Sequence, residues 1–336
     1  MVMKKKLAAA ALCAAVAVSS LGFGAVAALA EEASGDDAYE MAYVLSVRDE
    51  FLRTLEDDVV ESAKECGVNM ITLYAGSDSQ QLISCVEAAN TMGKDAVIIN
   101  LNAAEDAQAC IEAAGDMKVV FLNRVPADYG VLSENAAAVA SDEHDSGRFQ
   151  GEFLAQYFQD KGQTDVNYVL LRGTGGLVHT ELRTEGVIKA MEEGGLTPHE
   201  VAVIDADYNR NTAKDALMEA LPEMGEFDCI ISNNDAMAIG AILAMQELGM
   251  DPSSVPIVGI DATADGVEEM KNGNLAMTVF QSHKGQAYGS VMAAINMLDG
   301  KELTEGTENV ISEDSPYVVY VPFVPVTPEN VDTFQE

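Results

Sequence analysis

Three strand ends predicted from this sequence carry side chains that pair with hydroxyl groups. The polar residues that follow the apolar runs 229–231, 258–260 and 120–122 are Asn233, Asn234 and Asp235, then Asp261, then Asn123. In open α/β sheets, ligands bind beyond the carboxyl ends of the parallel strands. Amides and carboxylates both pair with hydroxyl groups. The pattern therefore predicts a site for a small polyhydroxylated molecule.

The elements that must position these side chains alternate between strand and helix. Strands are predicted at 42–47, 70–74, 96–100, 119–122, 166–171, 201–205, 229–232 and 256–260, and helices at 51–65, 79–92, 104–114, 146–161, 181–194, 211–221 and 236–248. A repeated strand–helix unit gives a parallel sheet with helices on both faces. Two rounds of this repeat predict an α/β fold with two doubly wound parallel-sheet lobes.

After residue 260 the sequence predicts further elements that return the chain to the first lobe. They are a strand at 275–280, a helix at 285–298 and a β-rich run at 318–324. We expect an N-terminal lobe of 41–142 plus 282–316 and a C-terminal lobe of 143–281 plus 317–336, joined by a multi-strand hinge. Hinged lobes commonly close around a small molecule.

The amino-terminal segment has the features of a secretory signal peptide. Three lysines at 4–6 precede an uncharged, alanine-rich stretch that ends at Ala28-Leu29-Ala30, and Glu31 follows. A basic start, an apolar core and a small-x-small site favour cleavage near Ala30 over a membrane anchor. We therefore predict a signal peptide at 1–30, an acidic linker at 31–40 and a soluble exported protein in the periplasm or another extracytoplasmic space.

Charge and cysteine usage narrow the possible partners. The 336 residues carry a formal net charge of −36, which argues against nucleic acid and favours a neutral ligand. Outside the predicted signal peptide, the cysteines are Cys66, Cys85, Cys110 and Cys229, with no Cys-x-x-Cys pair and no histidine at ligand spacing. Neither a metal site, a cofactor nor a disulfide framework is predicted, and the four thiols are interpreted as small buried hydrophobes.

Four motifs carry a resemblance to a known family. They are Val-Leu-Leu-Arg-Gly at 169–173, Asn-Asn-Asp-Ala-Met-Ala at 233–238, Pro-Ile-Val-Gly-Ile-Asp-Ala at 256–262 and Tyr-Val-Pro-Phe at 320–323. Together with the order of elements, they resemble the periplasmic sugar-binding proteins of ABC transporters, in the galactose/glucose-binding branch of the type I family. The resemblance covers nearly all of the mature chain. It implies a monomeric, non-enzymatic protein that captures a monosaccharide and delivers it to a membrane permease; some relatives also dock on a chemoreceptor.

By position, the resemblance also implies a set of ligand contacts. Carboxylates and amides on sugar hydroxyls would be Asp49, Asn123, Asn234 and Asp261, and the stacking aromatics would be Phe51 and Tyr208, the latter where the family usually has a tryptophan. Arg183 would supply a guanidinium, and Gln281 stands where the family has a hinge-side asparagine. His179 is a candidate to replace a polar contact that the chain otherwise lacks.

The chain departs from the family at two places. Leu177 and His179 stand where glucose-binding members carry a histidine and an aspartate, so an apolar side chain replaces an acceptor. The calcium loop of the enteric members would fall at 161–167, where only Asp165 and Asn167 are possible ligands. Because a stable calcium site needs six or more oxygens, we predict none.

Several alternatives remain open from the sequence. The ligand could instead be a pentose, an inositol or a furanosyl signalling molecule. A sugar hydrolase using Asp49 and Asp261 is a remote alternative, and a repressor would need an amino-terminal helix-turn-helix. Locally, we expect Asp235 to cap the helix that follows it, with Asn234 facing ligand, and Arg183 has possible partners on its own helix in Glu181 and Glu185.

Overall fold

The protein folds into two α/β lobes, seen in a computed structural model that describes residues 38–334. Its strands are β1 (Glu40–Leu45), β2 (Asn69–Tyr74), β3 (Ala96–Ile99), β4 (Lys118–Leu122), β5 (Ala136–Ala140), β6 (Asp165–Arg172), β7 (Thr197–Asp205), β8 (Cys229–Ser232), β9 (Ile257–Val258), β10 (Thr278–Phe280), β11 (Val310–Ile311), β12 (Val318–Tyr320) and β13 (Val324–Val326). Its α-helices are α1 (Glu50–Glu65), α2 (Ser79–Thr91), α3 (Ala107–Ala114), α4 (Glu143–Gln159), α5 (Val178–Glu193), α6 (Arg210–Ala220), α7 (Asp235–Glu247), α8 (Ala264–Lys271) and α9 (His283–Asp299).

The first lobe is built on a seven-stranded sheet in the order β11-β12-β5-β4-β3-β1-β2. Every pair is parallel except β11–β12, so the carboxyl ends of the main strands share one edge. Helices α1 and α9 cover one face of this sheet and α2 and α3 the other, each over a buried apolar cluster. Strands buried on both faces are typical of such sheets.

The second lobe has a parallel sheet in the order β7-β6-β8-β9. Single bridges, such as that between Asp261 and Phe280, continue this sheet towards β10, which pairs antiparallel with β13. Helices α4 and α5 cover one face, and α6, α7 and α8 the other. Because a Cβ at Gly147 or Gly151 would overlap α5, these glycines let α4 and α5 approach closely. The predicted fold class is confirmed.

The chain crosses between the lobes at three places, after β5, after β10 and after β12. The third crossing corrects the predicted boundary, which assigned 317–336 to the second lobe. Strand β12 instead pairs with β5, and Val321 N donates to Ala140 O at 2.8 Å. The chain therefore enters the second lobe only after Val321, because these backbone hydrogen bonds hold β12 in the first sheet.

The predicted signal peptide at 1–30 and most of the acidic linker lie outside the described residues. Between residues 38 and 334, no helix is long and apolar enough to cross a membrane. Within the same range, no group of three or more His, Cys, Asp or Glu side chains is placed to hold a metal ion. The four thiols there are free; Cys85, Cys110 and Cys229 are buried, and Cys66 is half-buried.

Candidate functional site

A small cavity lies between the two lobes, where the carboxyl ends of their strands face each other. Its walls are formed by Asp49, Phe51, Leu52, Asn123, Arg124, His179, Arg183, Tyr208, Asn234, Asp261 and Gln281. All nine candidate residues predicted from the sequence are in this set. Leu52 and Arg124 are the two that the sequence reasoning missed.

The first-lobe wall is held in place by helix caps and hydrogen bonds. Asp49 caps α1, with one carboxylate oxygen accepting from Leu52 N at 2.8 Å, which leaves its second oxygen for other partners. The Asn123 amide nitrogen donates to Gln286 Oε1 at 3.1 Å, so the Asn123 carbonyl oxygen remains available as an acceptor. The Phe51 ring is buried and lies edge-on to His283.

Arg124 is a buried cation on the same wall. One of its terminal nitrogens, Nη1, donates to Leu101 O at 3.1 Å and to Ser46 Oγ at 3.3 Å. Burial lowers the pKa of the Arg124 guanidinium, while the Asp49 carboxylate acts in the opposite direction. The sequence signal was its position directly after Asn123 at a strand end, where a charged side chain joins the ligand-facing edge.

Arg183 is the corresponding cation of the second lobe. Its guanidinium forms a bidentate pair with Glu143, donates through Nη1 to Asn233 O at 2.7 Å, and reaches Gln281 Oε1 at 3.5 Å. Burial alone would lower the Arg183 pKa, but the adjacent Glu143 carboxylate outweighs that effect and raises it. The partners considered on α5 itself are not used, since Glu143 on α4 takes that role.

Tyr208 and His179 form an aromatic pair against the cavity. Their ring centroids are 5.2 Å apart in a stacked arrangement, and the Tyr208 hydroxyl is hydrogen-bonded to Thr180 Oγ1 at 2.7 Å. A Cβ at Gly173 would overlap the Tyr208 ring, so that glycine makes room for it. Burial, with Arg124 and Arg183 nearby, lowers the His179 pKa well below its ordinary value, which keeps the imidazole neutral.

The helix start at 234–235 differs from the prediction. Asn234, not Asp235, is the N-cap of α7; its carbonyl oxygen accepts from Met237 N at 3.0 Å. The Asn234 amide nitrogen is then the group left for a ligand. Asp235 turns away from the cavity and bonds to Thr278 and Thr263. An asparagine N-cap is as favourable as an aspartate, which is why the sequence did not separate the two.

Three of the cavity residues have left-handed backbone conformations. The φ angles are 68° at Asn123, 57° at Tyr208 and 120° at Asp261. Such conformations cost on the order of 1–3 kcal/mol each in residues other than glycine and persist only where surrounding contacts enforce them. All three residues line one cavity. The unfavourable backbone conformations are kept there because they direct the side chains into the cavity.

The cavity contains both hydrogen-bond donors and acceptors with little access to water. Burial raises the pKa of Asp49 and raises that of Asp261 well above the ordinary value, with Arg183 opposing the shift at both carboxyls. Within the described chain, the Asp261 carboxylate makes no hydrogen bond to protein. Unpaired acceptors beside buried guanidinium donors suit a ligand whose groups both donate and accept, as hydroxyls do.

The two lobes also meet at the mouth of the cavity. Arg210 of the second lobe donates to Glu50 of the first lobe at 2.6 Å and to Asp265 of its own lobe at 2.7 Å. The ion pair between Arg210 and Glu50 joins the two lobes beside Asp49 and Tyr208. The conformation described is therefore a closed one.

Comparison with known proteins gives consistent findings. A family model described as "Periplasmic binding protein domain" matches residues 41–302. A putative rhizopine-binding protein of Rhizobium meliloti is 31% identical over 85% of this chain and 89% of its own length. The D-galactose/methyl-galactoside binding periplasmic protein of Haemophilus influenzae is 28% identical over 85% of this chain and 88% of its own length.

A solved structure extends the comparison to three dimensions. An ABC transporter solute binding protein from Bacillus halodurans, crystallised with bound myo-inositol, superposes with a TM-score of 0.77 at 30% identity. The superposition covers 89% of this chain and 98% of that one.

Proposed function

This chain belongs to the periplasmic binding protein family, and from that premise we propose that it captures a small cyclic polyol outside the cytoplasm and delivers it to an ABC transporter permease. The ligand that we favour is a hexose such as glucose or galactose. The observation that carries the proposal is the convergence of the nine predicted side chains on one closed cavity between the lobes.

The hydrogen-bonding groups and aromatic rings of the cavity suit a hexose. Asp49, Asp261 and the Asn123 carbonyl oxygen accept hydrogen bonds, Arg124 and Arg183 donate them, and the aromatic rings can cover the C–H faces of a sugar. A hexose has about twelve heavy atoms, and micromolar binding corresponds to about −8 kcal/mol, or roughly −0.7 kcal/mol per atom. That value is ordinary for a ligand of this size.

Closure follows from contacts on both lobes. A ligand that bonds Asp49 and Asn123 on one side and Arg183 and Asp261 on the other binds the closed form better than the open form, because opening separates the two sets. The same closed form is what a permease would recognise. Export of the protein is part of the proposal and is supported by the signal-peptide features of residues 1–30.

A cyclitol such as myo-inositol is the second candidate. It is favoured by the inositol-bound structure described above, which is 30% identical to this chain. The position of Leu177 is consistent with this candidate. Leu177 packs into the apolar core of the second lobe and is not part of the cavity wall. The apolar substitution noted in the sequence therefore removes a family contact without placing an apolar group against the ligand.

Isothermal titration of the mature protein tests the proposal. The protein is unfolded and refolded to remove ligand carried through purification, then titrated with glucose, galactose, ribose, xylose and myo-inositol, with sucrose as an oversized control. Micromolar or tighter binding of a hexose supports the favoured ligand, and binding of myo-inositol alone supports the second candidate. Absence of binding across the panel would overturn both.

A further inference from the structure

Asp235 is a buried carboxylate that lies behind the cavity wall and not in it. It is the first residue of α7 and is fully buried. One oxygen accepts from Thr278 Oγ1 at 2.6 Å. The other accepts from Thr263 N at 2.9 Å and from Thr263 Oγ1 at 3.4 Å. Asp235 thereby connects α7 to β10 and to the loop that follows Asp261.

These contacts surround the strained turn that carries Asp261. After Asp261 at φ 120°, Ala262 is also left-handed at φ 50°. Ala262 N donates to Thr278 Oγ1 at 3.2 Å, and the same Thr278 hydroxyl donates to Asp235. The Thr278 hydroxyl therefore links the turn to Asp235. On the other side of the turn, Asp235 N donates to Ile260 O at 2.7 Å. The backbone is held both immediately before and immediately after Asp261.

Two glycines make the space that the carboxylate occupies. A Cβ at Gly259 would overlap one oxygen of Asp235, and a Cβ at Gly266 would overlap the other. Both glycines have ordinary backbone conformations. Glycine is therefore required at these positions by the close approach of the Asp235 carboxyl group and not by the backbone geometry of a turn. Enclosure on all sides raises the pKa of Asp235 to about 7.

We infer that Asp235 is a positioning residue for ligand binding, which holds the 260–263 turn so that the Asp261 carboxylate points into the cavity. Through Thr278 it also fixes β10, the strand that leads to Gln281. The inference rests on the proposed function, because it concerns the geometry of the same site. Replacing a residue that only supports folding would lower the stability of the protein. Replacing a positioning residue lowers the affinity for ligand, and that loss depends on Asp261.

Amide hydrogen exchange in the ligand-free protein tests the positioning directly. We expect Asp235→Asn to speed exchange at the Ala262 and Thr263 amides by about tenfold or more, because the isosteric amide loses one of the two acceptor oxygens. The matched control is Asp228→Asn, which removes an acceptor from Asn167 N at the opposite end of β8. Unchanged exchange at residues 262 and 263 would overturn the inference, whether or not the protein binds a polyol.

A double-mutant cycle tests the effect on affinity, with galactose, ribose and myo-inositol as probes. We expect Asp235→Asn to weaken binding about tenfold in the wild-type background, and less than about threefold when Asp261→Asn is already present. An equal loss in both backgrounds, or wild-type affinity in Asp235→Asn, would overturn the inference. If none of the three probes binds wild-type protein, the proposed function fails on this panel and the exchange result alone decides the inference.

Variants at Thr278 supply a conservative rescue and protect against misfolding of the Asp235 variant. Thr278→Ser keeps the hydroxyl that links Ala262 N to Asp235, and we expect it to retain wild-type affinity within about threefold. Thr278→Val has the same shape without the hydroxyl, and we expect it to lose affinity as Asp235→Asn does. Equal affinities for these two Thr278 variants would contradict the proposed linkage.

Discussion

Arg183 and Glu143 form a bidentate ion pair in the interior of the second lobe, with Nε 2.7 Å from Oε2 and Nη2 3.0 Å from Oε1. Both side chains are almost fully buried. Glu143 is the first residue of α4, which begins where the chain first enters the second lobe. The pair therefore fixes the cavity guanidinium to the helix that starts at the hinge.

Replacing Glu143 with glutamine should weaken both stability and binding. One buried charge would lose its partner, and breaking such a pair typically costs on the order of 3 kcal/mol. We expect a loss of about 2–3 kcal/mol in urea unfolding and at least about tenfold in affinity by titration. Glu152→Gln, which breaks an exposed pair with Arg148 on the same helix, should change stability by less than about 0.5 kcal/mol. Equal effects for the two variants would argue against a special role for Glu143.

Asp261→Asn should weaken ligand binding without destabilising the ligand-free protein. The Asp261 pKa is raised well above its ordinary value, chiefly by burial, so the charged form is unfavourable before a ligand arrives. A hydrogen bond to a charged group contributes about 1.5–3 kcal/mol, which predicts a loss of roughly 10- to 100-fold in affinity. Titration and thermal unfolding measure the two effects, and unchanged affinity would remove Asp261 from the site.

Stability should depend on pH through Asp235. Its pKa is about 7 in the folded protein against 3.8 for the free side chain, so between these values the folded state holds more protons than the unfolded state. The free energy of unfolding should therefore fall as pH rises from about 4 to about 7, by up to about 4 kcal/mol from this group. Urea unfolding across that range measures the slope.

The Asp235→Asn variant isolates this contribution. Its unfolding free energy should lack the part of the slope that belongs to Asp235, whereas Asp228→Asn should keep the wild-type slope. A wild-type slope in Asp235→Asn would show that the carboxyl titrates outside the range from 4 to 7.

The ion pair at the cavity mouth should favour the closed form modestly. Arg210→Gln removes the bond to Glu50, and because both side chains are partly exposed we expect less than about 1 kcal/mol. Small-angle scattering of ligand-free protein should show a larger radius of gyration, and saturating ligand should restore the compact value. Arg148→Gln is the control, since its partners lie on its own helix. Identical scattering for both variants would count against the inter-lobe contact.

Gly173→Ala should disrupt the aromatic wall. A Cβ there would overlap the Tyr208 ring, whereas a Cβ at Gly175 would meet nothing within 4 Å. We therefore expect Gly173→Ala to lower affinity at least about tenfold, because overpacking displaces the ring, and Gly175→Ala to leave affinity within about twofold. Isothermal titration of the two variants separates the two causes. Displacement of the Tyr208 ring would lower affinity only in Gly173→Ala, whereas stiffening of the loop would lower it in both variants.

The strand ends were predictable because long apolar runs followed by polar residues have few other interpretations. Strand β5 was not predicted, since Ala-Ala-Ala-Val-Ala has low intrinsic strand preference and forms a strand only where β4 and β12 flank it. Arg124 was missed for a related reason: its burial depends on contacts with Ser46 and Leu101 that are distant in sequence.

The final crossing shows the same limit. The run 318–324 has uniform β character, so the sequence does not reveal that its first half pairs with β5 and that β13, which follows, pairs with β10. Pairing partners across long separations are set by the assembled sheet and not by the residues of the strand itself. The Asn234 cap was ambiguous for a different reason, because Asn and Asp are equally good at that position.

The position of β12 bears on the order in which the chain can fold. Strand β12 lies between β11 and β5, and β13 completes the pairing of β10, so neither lobe is formed by one continuous stretch of chain. The seven-stranded sheet and the β10–β13 pair remain incomplete until residues 318–326 are available for pairing. A chain that folds as it is synthesised from its amino terminus would thus expose unpaired strand edges until nearly its last segment emerges, and slow, long-range strand pairing would be the final step of folding.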